Sequence, residues 1–200
     1  MTTDLSQFAF MDRLEKELLA ELSSSLPENA VIVEVGTFMG GSASILANAN
    51  PSATVTCYDL YEDDPHKRYR AEPQYKLFDQ MLGMTDAPRT FENVKKLMSG
   101  IPNVVLNKCK SPDGITWDKP IDLYFEDGIH MNPRLNMNIE FWRQHIKIGG
   151  YLVLHDYRPH FPADHYWRWP DVETEFARLL TCGYRFMKHV ISTLVLVREY

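Results

Sequence analysis

Cysteine is scarce in this chain, and so are long apolar runs and basic charge. Three cysteines among 200 residues, Cys57, Cys109 and Cys182, are odd in number and widely spaced. That pattern argues against a disulfide framework or a zinc motif and fits reduced thiols. No apolar stretch approaches the roughly 18 residues of a bilayer-spanning helix, so no membrane span is expected. The start, MTTDLSQFAFMDRLEKELLAELSSSL, lacks a basic segment followed by an apolar one, so no secretory signal is read and the expected location is cytoplasmic. Lys and Arg total 21 against 27 Asp and Glu, a formal net charge of −6. This balance disfavours broad electrostatic binding to nucleic acid or anionic lipid. A small molecule or a neutral glycan suits it better.

What is present is an ordinary globular composition, 44% hydrophobic and 24% charged, which fits one domain over residues 1–200. Leu5, Phe8, Met11, Leu14, Leu18, Leu19 and Leu22 recur at helical spacing, predicting an amphipathic helix over about residues 4–25 that Leu26-Pro27 closes. Residues 1–28 thus form an N-terminal helical region. Ala30–Val35 reads as a central strand, Gly41–Ala49 as a helix and Thr54–Tyr58 as a second strand. Strand, glycine turn, helix and strand in that order make a βαβ unit and imply a parallel sheet. Residues 61–88 begin with a polar, aromatic, proline-broken stretch without a period and read as a lid segment, as do residues 157–170. Further helices are expected at Arg89–Met98, Leu135–Ile146 and Asp171–Leu180. Further strands are expected at Asn103–Asn107, Asp122–Phe125, Tyr151–Leu154, Tyr184–Met187 and Thr193–Arg198. The pattern is a single alternating α/β domain with a β-rich end.

The turn after the first strand reads VEVGTFMGGSAS. In an open parallel sheet ligands bind outside the carboxyl ends of the strands. Gly36 and Gly40 allow close backbone approach, and a helix beginning near Gly41 offers free N–H groups. The spacing G-x-x-x-G-G-S is neither the dinucleotide fingerprint nor the P-loop. Glu34, an acid inside the strand, points towards a cationic or amine-bearing ligand. Asp59 ends the second strand, where a carboxylate can take both hydroxyls of a ribose. A plain β–α turn with two solvated acids is the alternative, and the order of the whole set weighs against it.

These residues carry a resemblance. VEVGTFMGGSAS with Asp59 resembles motif I of the class I S-adenosylmethionine-dependent methyltransferases. DLYFEDGIH and IKIGGYLVLHDY narrow the likeness to the macrocin O-methyltransferase-like, or methyltransferase 24, type. The resemblance covers about residues 30–60 and 100–200. It implies a doubly wound, seven-stranded, mostly parallel sheet with an antiparallel C-terminal hairpin, and S-adenosylmethionine as cofactor. It also implies that Gly36, Thr37, Phe38, Gly40 and Ser42 line the methionine portion, with Asp59 on the ribose and Ser111 near the adenine. Lys108-Cys109-Lys110-Ser111 departs from the Gly-Asp-Ser pattern common in the family.

Methyl transfer from a sulfonium is an in-line displacement, for which a protein supplies positioning, a dry pocket and a deprotonated acceptor. An alcohol or sugar hydroxyl needs a base or a metal. His130 is the expected base, since an imidazole titrates near neutrality. Asp127 and Asp156 end adjacent strands, so their carboxylates are expected to converge on a divalent cation such as Mg²⁺, with Asp127 also reaching the cofactor. His155 stands where related enzymes often carry an acid, completes the expected metal set and suits a softer metal. Glu126 falls on the opposite strand face from Asp127. The bland readings are that Asp127-Gly128 is only a turn pair and His130 only structural. His160, His165, Tyr166, Trp167 and Trp169 form an aromatic rim, with His66–Tyr69 facing it as the other side of a lid. The rim is either a platform for a sugar or aromatic acceptor or a packed lid or dimer contact. A homo-oligomer is compatible with it. The reading is thus an O-methyltransferase acting on a small-molecule or sugar hydroxyl. Its rivals are a nicotinamide-dependent oxidoreductase on a similar sheet, and a non-catalytic interaction protein that keeps the cofactor fold.

Overall fold

Every residue of β1 (Val31–Val35) after the first is buried, and a β-branched run without a free face belongs in the middle of a sheet. The computed structural model, which describes residues 4–61, 73–84, 87–165 and 167–200, places it there. The other strands are β2 (Thr54–Asp59), β3 (Val104–Lys108), β4 (Ile121–Glu126), β5 (Ile146–Leu154), β6 (Tyr184–Val190) and β7 (Thr193–Arg198). They form a seven-stranded sheet in the order β3-β2-β1-β4-β5-β7-β6. The first five pair in parallel, and β7 runs antiparallel between β5 and β6. This is the doubly wound architecture with a C-terminal hairpin that the sequence predicts.

Helices cover both faces. On one, α1 (Arg13–Ser25), α2 (Gly41–Ala49), α3 (Pro73–Leu82) and α4 (Phe91–Met98) bury Leu19, Leu46, Phe78 and Val94 with Leu123 and Phe125 of β4. On the other, α5 (Arg134–Arg143) and α6 (Pro170–Leu180) bury Trp142 and Leu179 with Tyr124. Alternation along β4 therefore divides the two cores. Because β1 lies between β2 and β4, the chain reverses its direction of winding there, which opens a crevice outside the ends of β1 and β4. Among the described residues no helix is long and apolar enough to cross a membrane.

Three boundaries differ from expectation. The first helix is broken: a 3₁₀ turn at Leu5–Phe8 precedes α1, and Asp12 caps α1 in a reciprocal box with Glu15. Leu5 and Phe8 remain buried through the break, so the apolar pattern runs on. Residues 61–88 are not all lid, because α3 lies within them and puts Tyr75, Phe78 and Leu82 into the core. The His66–Tyr69 segment and Tyr166 lie outside the described residues. Finally, α5 stops at Arg143, and β5 begins at Ile146. Gly149, at φ +81°, is taken into the strand where the register with β4 shifts.

Candidate active site

The glycine turn is shaped by the chain itself. Gly36 has φ +92° and donates its N–H to the Tyr58 carbonyl at 2.9 Å. A Cβ at Gly36 would overlap the Asp127 carbonyl, and one at Gly40 (φ +87°) would overlap the Met98 sulfur. On the Cβ side, the close approach these glycines permit is thus to the residue after β4 and to α4, while Gly36 also borders the cavities described below. A Cβ at Gly41 would collide with the Ala9 backbone, which seats residues 8–11 against the start of α2. Phe38, at φ +51°, donates its N–H to Asp59 Oδ2 at 2.8 Å. Asp59 Oδ1 accepts from the Tyr61 N–H at 2.7 Å and from Arg89 Nη1 at 3.1 Å. Glu34 is fully buried beneath the turn and accepts from Ser42 Oγ at 2.6 Å. Burial raises its pKa to about 7, with the Ser42 hydrogen bond opposing the shift.

The ends of β4 and β5 gather the remaining polar groups. Asp127 is tied to β1 by its N–H, which reaches the Val35 carbonyl at 2.8 Å. Its Oδ1 lies 2.8 Å from His155 Nδ1 and 3.9 Å from His130 Nε2. His130 Nε2 stands 3.1 Å from Asp156 Oδ2, and its ring centroid is 5.4 Å from that of Trp169. Arg158 Nη2 approaches Asp156 Oδ1 at 2.7 Å without the alignment of a hydrogen bond. Asp156 itself has φ +61°, in the left-handed region that β-carbon-bearing residues enter at a cost. Burial alone would raise the Asp156 pKa, but His130, His155 and Arg158 outweigh it and hold the carboxyl well below its usual range. Burial disfavours charge on His155 too, yet Asp127, Glu15 and Asp156 together raise it well above the ordinary imidazole value.

Among the described residues two cavities border Asp127. The larger of these two, 320 Å³, is bounded by residues 8–11, Thr37, Ser42, Asp127, Asp156, Arg158 and Trp167. The smaller, 250 Å³, is bounded by Tyr58, Asp59, Ser111, Asp127, Arg134 and Asn138. Gly36, Phe38 and Asp127 line both, so the two meet at the β1–β4 seam. Ser111 Oγ accepts from Trp142 Nε1 at 2.9 Å, which fixes the side chain at the cavity wall. Glu34 and His130 line neither cavity; Glu34 underlies the turn, and His130 stands behind the two aspartates.

Three of the groups can share a cation by geometry: Asp127, His130 and Asp156 each offer one atom, all within 4.8 Å of one another. His155 is not among them, in contrast to the expected set, because its Nδ1 is spent on Asp127. Glu126 faces the opposite core, as alternation requires, and holds Tyr124 OH and the Gly128 N–H. Part of the rim packs on itself, with the Arg158 guanidinium over the rings of Phe161 and Trp167. Sequence reasoning missed Glu15, Arg89 and Arg158. Glu15 had a signal in the Asp12–Glu15 capping box; the two arginines had none.

A model of the methyltransferase-domain family matches residues 33–157, from within β1 to just past the Asp156 turn. Solved structures share the fold at low identity. The O-methyltransferase TomG from Streptomyces achromogenes, in complex with S-adenosylmethionine, is 14% identical with a TM-score of 0.62, over 95% of this chain and 82% of that one. The Podospora anserina methyltransferase PaMTH1, bound to S-adenosylhomocysteine, is 14% identical with a TM-score of 0.64, over 96% and 80%. A precorrin-6y C5,15-methyltransferase from Geobacter metallireducens is 16% identical with a TM-score of 0.59, over 99% and 97%. One of these is an O-methyltransferase and another a C5,15-methyltransferase, so the shared fold does not choose the acceptor.

Proposed function

The chain belongs to the methyltransferase-domain family, and from that premise we propose that it transfers the methyl group of S-adenosylmethionine to a hydroxyl oxygen of a small molecule or sugar. A methyl group on a sulfonium is the chemistry the cofactor supplies when bound. The smaller cavity suits its nucleoside. Among the described residues Asp59 Oδ2 accepts only the Phe38 N–H and keeps capacity for a ribose hydroxyl, and Ser111 lies further along the same wall. Thr37, Phe38 and Ser42 line the passage from there to the larger cavity, which would receive the acceptor.

The observation that carries this reading is the placement of Asp127 where the two cavities join and of Asp156 on the wall of the larger one, with His130 Nε2 3.1 Å from Asp156. In that arrangement His130, behind the cavity wall, takes the proton of the acceptor hydroxyl through one intervening water, and Asp156 steadies the imidazolium that results. A second reading rests on the 4.8 Å cluster of Asp127, His130 and Asp156. Two carboxylates and one imidazole fit a divalent cation with mixed oxygen and nitrogen ligands, which would lower the pKa of a bound hydroxyl. His130 Nε2 can serve as base or as ligand, not both at once.

The test is methyl transfer from radiolabelled S-adenosylmethionine to a panel of phenols and sugars, with Mg²⁺, with Mn²⁺ and with a chelator. Label recovered in an ether supports oxygen transfer, and loss of activity on chelation selects the cation reading. Transfer only to nitrogen or carbon acceptors would overturn the proposal.

A further inference from the structure

His155 and Glu15 are 140 residues apart in the chain and meet at the wall of the larger cavity, which His155 helps to line. Both are almost wholly covered, at 4% and 2% exposure. The imidazole bridges two acidic groups. Nδ1 lies 2.8 Å from Asp127 Oδ1, while Nε2 lies 3.4 Å from Ser192 Oγ and 3.7 Å from Glu15 Oε1. Glu15 Oε1 is itself fixed by the Ser192 N–H at 2.9 Å, Ser192 Oγ at 2.7 Å and Thr193 Oγ1 at 2.9 Å. Its Oε2 accepts from the Asp12 N–H at 2.9 Å, at the start of α1. A line of polar contacts therefore runs from α1, through the turn before β7 and the end of β5, to the one carboxylate that borders both cavities.

Burying an ionisable pair costs several kcal/mol of desolvation per ion, and an apolar pair of similar volume would often hold helix and sheet together as well. Such sets persist where they orient a functional group, as the outer partners of metal ligands do. We propose that His155 and Glu15 are positioning residues that aim the Asp127 carboxylate into the reaction cleft. The N-terminal helix is then part of the catalytic unit as well as a cover for the sheet. The same segment supplies residues 8–11 of the larger cavity wall, so the docking of α1 shapes the acceptor space and aligns Asp127 together. This rests on the reading of Asp127 as a group of the acceptor site; the contacts that hold it do not.

The experiment compares three variants of the full chain, His155→Phe, His155→Asn and Glu15→Gln, by crystallography and by Mn²⁺ binding followed with electron paramagnetic resonance. Phenylalanine keeps the ring volume and removes both nitrogens, whereas the asparagine amide can replace the Nδ1 donor. In His155→Phe the Asp127 side chain is expected to rotate away from its position in the unsubstituted protein, and Mn²⁺ affinity to fall about 10- to 100-fold. His155→Asn is expected to restore the Asp127 orientation and most of the affinity. Glu15→Gln is expected to move Asp127 in the same sense as His155→Phe but less far. An unmoved Asp127 in His155→Phe overturns the proposal, as does a His155→Asn protein no better than His155→Phe. If the unsubstituted chain binds no Mn²⁺, the cation reading of the site fails, and the Asp127 orientation in the crystals still decides this one.

Discussion

Gly36 and Asp127 touch backbone to backbone across the seam between β1 and β4, so closely that a Cβ on Gly36 would occupy the space of the Asp127 carbonyl. The contact joins the glycine turn after β1 to the residue that follows β4. Gly36→Ala adds that overlap to a φ of +92° that an alanine resists. The expected loss of stability is more than about 1 kcal/mol, measured as a lower denaturation midpoint. An alanine variant as stable as the parent would mean that the seam relaxes freely.

Asp59 holds three donors from three segments, the Phe38 and Tyr61 N–H groups and Arg89. Asp59→Ala is expected to weaken S-adenosylhomocysteine binding by roughly 1–3 kcal/mol through lost charge-assisted hydrogen bonds. Calorimetric titration reads this directly. Unchanged affinity would remove Asp59 from the nucleoside site.

Glu126 gives a pH signature. Burial, opposed by its Tyr124 and Gly128 hydrogen bonds, raises its pKa from 4.5 to about 7. Between those values the folded chain holds a proton that the unfolded chain has released, so stability falls as pH rises from about 4.5 to about 7. Glu34, raised likewise to about 7, contributes with the same sign. Glu126→Gln keeps a neutral acceptor for Gly128 and is expected to flatten part of that slope in denaturant titrations run across the window. An identical slope in the variant would assign the effect elsewhere.

His130 stands behind the two aspartates, against Trp169. As the base it is expected to lose on the order of 100-fold or more in kcat on replacement by alanine, with S-adenosylhomocysteine affinity little changed. Full turnover in His130→Ala across a pH series would end that role.

Much of this site was legible in the sequence, for physical reasons that differ by residue. Asp59, Asp127 and Asp156 were found because strand ends in a parallel sheet face the crevice, and the strands announce themselves by β-branched runs. Glu126 was set aside by alternation alone, and its place among Tyr124, Gly128 and Asn138 agrees. Sequence cannot say whether the space a glycine leaves is filled by a ligand or by the chain, and on the Cβ side of Gly36 and Gly40 the chain fills it. The break at Asp12 was hidden because a 3₁₀ turn continued the apolar spacing, although the Asp12–Glu15 box was there to be read. His155 was taken for a ligand because adjacency to Asp156 is visible in sequence. Its contact with Glu15 arises only when α1 docks beside β7.

The most direct test is the structure of the full chain in complex with S-adenosylhomocysteine. The ribose is expected on Asp59, the adenine beside Ser111, and the sulfur turned towards the larger cavity at the Asp127 end of the seam. A nucleoside bound in the larger cavity, or a sulfur turned away from Asp127 and Asp156, would contradict that placement.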